Sequence, residues 1–151
     1  MDSGHGPTTL SLLDTCFGEL SIRDCQELSF ISKTVDFPAG AILLREGEVA
    51  AGVYVLLSGR VKHSVASQKG DSQIMHAAGP GEVVGLTSVI SGKACELRVE
   101  CLVASSFLFF PVDSFLAFLR THTDVCMNIV KLLSMEVDWA GERIRSLRGR
   151  S

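Results

Sequence analysis

FPAGAILLREGEVAAGVYVLLSGRVKHSV, from Phe37 to Val65, decides the fold. It holds three short apolar runs separated by glycine-containing turns. Ala41 to Leu44 leads into Arg45-Glu46-Gly47, and Val53 to Leu57 leads into Ser58-Gly59. Val61, His63 and Val65 then alternate with Lys62 and Ser64, the period-2 pattern of a half-buried strand. Glycine reaches positive φ without a steric cost, so Gly40, Gly47, Gly52 and Gly59 are expected at corners. Strands punctuated at this spacing imply an antiparallel roll or barrel rather than a βαβ unit.

A chain of 151 residues is long enough for one domain with a proper core, with or without an appended element. Apolar residues make up 46%, which is high, yet the strongest uncharged run, Cys101 to Val112, is too short to span a bilayer. No charged segment followed by an apolar one opens the chain, so we expect no secretory signal, a cytoplasmic location and no membrane partner. A net charge of −3 argues against these residues being the main nucleic-acid surface.

The five cysteines, Cys16, Cys25, Cys95, Cys101 and Cys126, include no CxxC pair. Reduced, mostly buried thiols are the expectation, and an iron–sulfur cluster would want closer thiolates. His63 and His76 fall on the two arms of one hairpin. Without a third ligand at fixed spacing they do not make a metal site. No cofactor is expected.

Along the chain, Met1 to Pro7 reads as an arm and Leu10 to Leu13 as a short helix. Ser21 is a hydroxyl N-cap with Asp24 in the first turn, which predicts a helix from about Ile22 to Ser32. Its stripe of Ile22, Cys25 and Leu28 should lie on the roll. Strands are expected over Lys33–Phe37 and over the two arms of a hairpin, 61–67 and 73–78, whose polar tip is Gln68 to Ser72. Val83-Val84 follows as a short strand, then one helical turn closed by Gly92. Cys95 to Val103 alternates as a strand, and Ser106 to Phe110 is a wholly apolar one. Val112 to Leu119 predicts a short helix. Thr121 or Thr123 is expected to cap a second, longer helix running towards Arg148.

In that last helix Cys126, Val130, Leu133, Val137, Ala140, Ile144 and Leu147 recur at alternating intervals of four and three. This is a heptad seam. One small domain, already carrying two helices, has little surface left to cover it. We therefore expect self-pairing into a parallel two-stranded coil, a homodimer, with a helix lying on its own roll as the alternative. Met127, Met135 and the lone tryptophan, Trp139, are read as packing residues.

This order of elements resembles the sensor half of Crp/Fnr-family transcription regulators. It implies a mainly β (α+β) fold: a double-stranded β-helix, or jelly roll, of the cyclic-nucleotide-binding type. N-terminal helices and a long C-terminal dimerisation helix flank it. The resemblance rests on FPAGAILLREGEVAAGVYVLLSGRVK (Phe37–Lys62), on PGEVVGLTSVISG (Pro80–Gly92) and on the helix after Asp124. It divides the chain into an arm over 1–20, a sensor roll over 21–120 and a dimerisation helix over 121–151. The helix-turn-helix domain that reads DNA in the family has no counterpart before Ser151, so we expect an excised sensor fragment that meets DNA only through a missing domain, with a natural protein lacking the reader as the alternative.

In the family, nucleotide-binding members carry a Gly-Glu-Leu segment and, a few residues on, an Arg-Ser or Arg-Ala pair. Helix N–H groups and the guanidinium hold the cyclic phosphate, and the glutamate holds the ribose hydroxyl. Here Gly85 matches the glycine, Leu86 stands at the glutamate position, and Cys95 with Glu96 stands at the arginine pair. The resemblance thus places a candidate pocket at Val84, Gly85, Leu86, Thr87, Ser88, Lys93, Cys95 and Glu96. A carboxylate where a phosphate would sit repels it, which argues against tight cyclic AMP binding. Lys93 and Arg98 are the nearest cations, with Arg98 expected on the other strand face. An unknown small-molecule effector stays open.

No Ser/His/Asp set, paired carboxylates or phosphate loop points to catalysis, and we expect no enzyme. Two alternatives stand beside the regulator: a stand-alone regulatory module of the same fold, and a redox or gas sensor of the same family.

Overall fold

The computed structural model describes residues 17, 18, 20–66, 72–131, 133 and 134. Phe17, Gly18 and Leu20 precede helix α1 (Ile22–Ile31), where the Ser21 hydroxyl accepts the Asp24 N–H as predicted. Eight strands follow: β1 (Lys33–Phe37), β2 (Ile42–Leu44), β3 (Gly52–Ser58), β4 (Val61–Ala66), β5 (Ser72–Ala78), β6 (Val83–Val84), β7 (Arg98–Cys101) and β8 (Ser105–Pro111). Helix α2 (Leu86–Ser91) sits between β6 and β7, and α3 (Val112–Arg120) follows β8. Helical backbone resumes over residues 123–131, here α4.

The strands form two four-stranded antiparallel sheets, ordered β1-β8-β3-β6 and β2-β7-β4-β5. Consecutive strands alternate between the sheets except at β4 and β5, which pair as a hairpin. The architecture is the expected jelly roll. Val53, Val55, Leu56, Val61, Val99, Phe107 and Leu108 fill it from both sheets and are buried. Phe17 closes one end, with its ring centroid 6.2 Å from that of Phe110 and 6.0 Å from that of Phe115. Among the described residues, no helix is long and apolar enough to cross a membrane.

Several expectations need correction. Gly40, Gly47 and Gly59 do turn at positive φ, but Gly52 does not. It is the first residue of β3, where a Cβ would meet the Phe110 carbonyl oxygen and stand 2.7 Å from the Phe109 ring. Close approach of β8, not a turn, calls for glycine there. The strand expected over Cys95–Val103 shrinks to β7. Cys95 instead exchanges backbone bonds with the 47–48 turn, and Leu102 and Val103 are exposed beyond it. On α1, Cys25 and Leu28 are buried but Ile22 is 75% exposed. Neither threonine caps α4. Thr121 donates its hydroxyl to the Phe118 carbonyl at the end of α3, and the Cys126 N–H reaches back to the carbonyl of His122.

Val125 and Ile129 seat α4 on the roll and are buried. Cys126 is half-buried and Val130 is 49% exposed, so the first seam positions face away from that contact. Leu133 packs partly against the core. Val137, Ala140, Ile144 and Leu147 lie outside the described residues, as do Met135, Trp139, Cys16, the segment Leu10 to Leu13 and residues 67–71 of the hairpin tip. Met127, expected to pack, is 55% exposed.

Candidate functional site

The residues of the candidate pocket lie where β6 runs into α2 and along the loop that follows it. Gly85 caps α2 at φ 90°, and Gly92 closes it at φ 73°. The first-turn N–H groups of Leu86, Thr87 and Ser88 have no partner within so short a helix. Of the residues assigned to this site, several are spent on structure. Val84 and Leu86 are buried in the core. The Ser88 hydroxyl accepts the Ala50 N–H at 3.0 Å and donates to the Lys93 carbonyl at 2.6 Å. That pair of bonds staples α2 to the loop before β3 and to the loop leading to β7. Thr87, Lys93 and Glu96 are exposed.

Cys95 is held by its backbone. Its N–H donates to the Glu48 carbonyl at 2.8 Å, and its carbonyl accepts from Gly47 at 2.9 Å. The half-buried thiol packs against the core. The position at which the resemblance sets the family's arginine is thus a fixed point of the loop, occupied by a neutral side chain and followed by a carboxylate. In β7 Val99 and Cys101 point inward, while Arg98 shares the other face with Glu100. Arg98 pairs across the sheet with Ser64. It therefore cannot take the place of the missing guanidinium without a change in strand face.

Inside the roll, His63 is buried and faces the same way as Val99, its cross-strand partner. Its Nε2 lies 3.4 Å from Glu82 Oε2 on the β5–β6 corner. The backbone register pairs His63 with His76, as the hairpin reading anticipated. Among the described residues no group of three His, Cys, Asp or Glu can hold a metal ion. Burial pushes the Cys101 thiol above its ordinary value. A hydrogen bond with Ser105 works against that shift and the Glu100 charge adds to it. Among the described residues Cys95, Cys101 and Cys126 are free thiols.

A second constellation escaped sequence reasoning. A groove of about 730 Å³ opens between α1 and α3, walled by Phe30, Ile31, Ala117 and Phe118. On its edge His122 meets Asp24 and Glu27 of α1. The available signal was the three-residue spacing of Asp24 and Glu27, which puts both carboxylates on one helix face.

Residues 34–122, more than half of the chain, match the family model of the cyclic nucleotide-binding domain. Two solved structures share the fold. The catabolite activator protein of Thermus thermophilus superposes with a TM-score of 0.78 over 89% of this chain and 63% of that one, at 19% identity. The sensor domain of the transcriptional regulator DNR from Pseudomonas aeruginosa gives 0.71 over 87% and 89%, at 24% identity. A curated relative, lysophospholipase nte1 of Neurospora crassa, is 23% identical over 116 residues, which are 77% of this chain but only 8% of that protein. The chain belongs to the cyclic nucleotide-binding domain family.

Proposed function

We propose that this chain is the effector-sensing and dimerising part of a cytoplasmic Crp/Fnr-type transcription regulator whose nucleotide cradle does not hold cyclic AMP tightly. One observation carries the second half. The loop that would present an arginine to the phosphate presents Cys95, pinned by its backbone to the 47–48 turn, and then exposed Glu96. Without the guanidinium, the α2 N-terminus is the remaining positive feature, and Glu96 offsets it. The likeness to a catabolite activator and to a regulator's sensor domain supports the first half. So does exposed Val130 at the start of the heptad seam. DNA would be met through a domain outside these residues, and an effector in the roll would act by biasing the orientation of two such domains.

A second reading has its own support. The curated relative is a lipid hydrolase in which the matching stretch is a small fraction of the protein, so the chain also suits a regulatory module of a larger enzyme.

Calorimetric titration with cyclic AMP and cyclic GMP tests the cradle: no submillimolar binding is expected for either, and such binding would overturn the proposal. Sedimentation at tens of micromolar tests the dimer, and a monomer there would remove it.

A further inference from the structure

The β4–β5 hairpin carries a histidine on each arm, and the roll brings a carboxylate to them. β4 lies between β7 and β5, so His63 is set on an inner strand of its sheet. It shares the inward face with Val99, and its side chain is only 11% exposed. The register pairs it directly with His76 of β5. Opposed residues of an antiparallel pair share one face, with Cβ atoms about 4.5–5.5 Å apart, near enough for two imidazoles to bind one ion.

Glu82 reaches the same place from another element. The β5–β6 corner is pinned to β3 by Leu56, whose N–H donates to the Glu82 carbonyl and whose carbonyl accepts from Gly81, both at 2.9 Å. From that corner Glu82 Oε2 comes to 3.4 Å from His63 Nε2. A charge-assisted N–H···O bond is shorter, about 2.7–2.9 Å. Two donors that each stand about 2.0–2.1 Å from a tetrahedral ion are about 3.3–3.4 Å apart. The observed separation matches the second arrangement. Among the described residues His63 and Glu82 are one donor short of a metal site, and the register supplies it.

We propose that His63, His76 and Glu82 form a two-histidine, one-carboxylate site for a divalent transition ion of the zinc class on the inner wall of the roll. Imidazole and carboxylate donors suit such an ion, and three protein ligands leave a position open to water or to a donor atom of an effector. The donors stand on rigid elements, an inner strand and a backbone-locked corner, so they are held in place before the ion arrives. Sequence spacing hid the third ligand because Glu82 belongs to the corner and not to the hairpin. The site needs neither the nucleotide cradle nor the dimer. Glu82 lies three residues before Gly85, so a bound ion would fix the corner from which β6 and α2 start.

Calorimetric titration of the whole chain with zinc chloride, after stripping with a chelator and under reducing conditions, tests the site. One ion per chain is expected, with a higher urea midpoint when it is bound. Cobalt in place of zinc should give the visible bands of a nitrogen–oxygen site, without the intense thiolate charge-transfer band that binding by the five cysteines would produce. His76→Gln and Glu82→Gln should each weaken zinc at least about tenfold, since changes behind the ligands alone cost about 10–100-fold. His122→Gln, which alters the ring beside Asp24 and Glu27, should leave the affinity unchanged. No zinc binding at tens of micromolar, a thiolate spectrum, a loss in His122→Gln, or an affinity that survives His76→Gln and Glu82→Gln would overturn the site. Urea unfolding of the metal-free variants separates lost binding from lost folding. Should either variant not fold, the cobalt spectrum of the unaltered chain decides.

Discussion

Gly85 stands so near the carbonyl oxygen of Gly52 that a Cβ added to it would lie 2.8 Å from that oxygen. Two glycines thus let the α2 entry and the first residue of β3 touch. Gly85→Ala should destabilise the roll twice over. Its φ of 90° strains an L side chain by about 1–3 kcal/mol, and the backbone contact adds to that. Gly92→Ala supplies the comparison, since its φ of 73° is also left-handed but nothing lies within 4 Å of the added carbon. Urea midpoints should show the larger loss for Gly85→Ala. Equal losses would mean that strain alone, and not the approach of Gly52, sets the requirement.

Ser88, a residue of the candidate pocket, spends its hydroxyl as a staple. Ser88→Ala removes the acceptor of the Ala50 N–H, and Ala50 is buried. A buried donor left without a partner costs about 1–3 kcal/mol. Chemical denaturation should register that loss. Ser88→Thr, which keeps the hydroxyl but adds a methyl at a buried position, should recover only part of it. If Ser88→Ala unfolds at the same urea concentration as the unaltered protein, the staple is not a support of α2.

The roll was legible because strand alternation and glycine turns are local signals. Phe37 to Val65 carries three strands and three of its four predicted corners within one continuous stretch, and no distant residue is needed to read them. Gly52 was misread because a glycine demanded by a close neighbour looks the same in sequence as one demanded by a turn. What forbids its side chain is Phe109 and Phe110, far along the chain. The site was less legible for the same reason. Leu86 and Ser88 lie within a matching motif, but their side chains answer to Ala50 and to the core. His122 gave no sign at all, because its partners are on α1, nearly a hundred residues earlier.

Cys101 sets an alkaline limit. Burial raises its thiol, opposed by the Ser105 hydrogen bond and reinforced by Glu100, from a reference value of 9.0. The folded chain therefore keeps this proton at pH values where the unfolded chain has begun to release it. Unfolding then releases protons, and stability falls as pH rises from about 9.0. Tyr54, raised by burial from 10.0, extends the fall to higher pH. Urea unfolding between pH 8 and 9.5 should show a declining midpoint, with a shallower decline in Cys101→Ala. An unchanged slope in that variant would show that the thiol does not contribute. Below that range the same shift keeps Cys101 protonated and slow towards thiol reagents.

Restoring the family's arginine is the sharpest test of the cradle. Cys95 is held by its backbone to the 47–48 turn and Glu96 is exposed, so Cys95→Arg with Glu96→Ala places a guanidinium on that loop and removes the neighbouring carboxylate. The double variant should bind cyclic AMP at least about tenfold more tightly than the unaltered chain, since charge-assisted bonds to phosphate are worth about 1.5–3 kcal/mol. Glu96→Ala alone should gain less, because it removes repulsion without supplying a donor. Leu86 cannot be treated in the same way. Its side chain is 2% exposed, and Leu86→Glu would bury an unpaired carboxylate at a cost of about 3 kcal/mol or more. The position that the resemblance gives to the ribose contact is therefore closed to a point change, while the one it gives to the phosphate contact is open to one. Isothermal titration of the three variants, with urea unfolding alongside, separates lost affinity from lost folding. A double variant that folds and still ignores both cyclic nucleotides would place the obstacle in the shape of the roll and not in its charge.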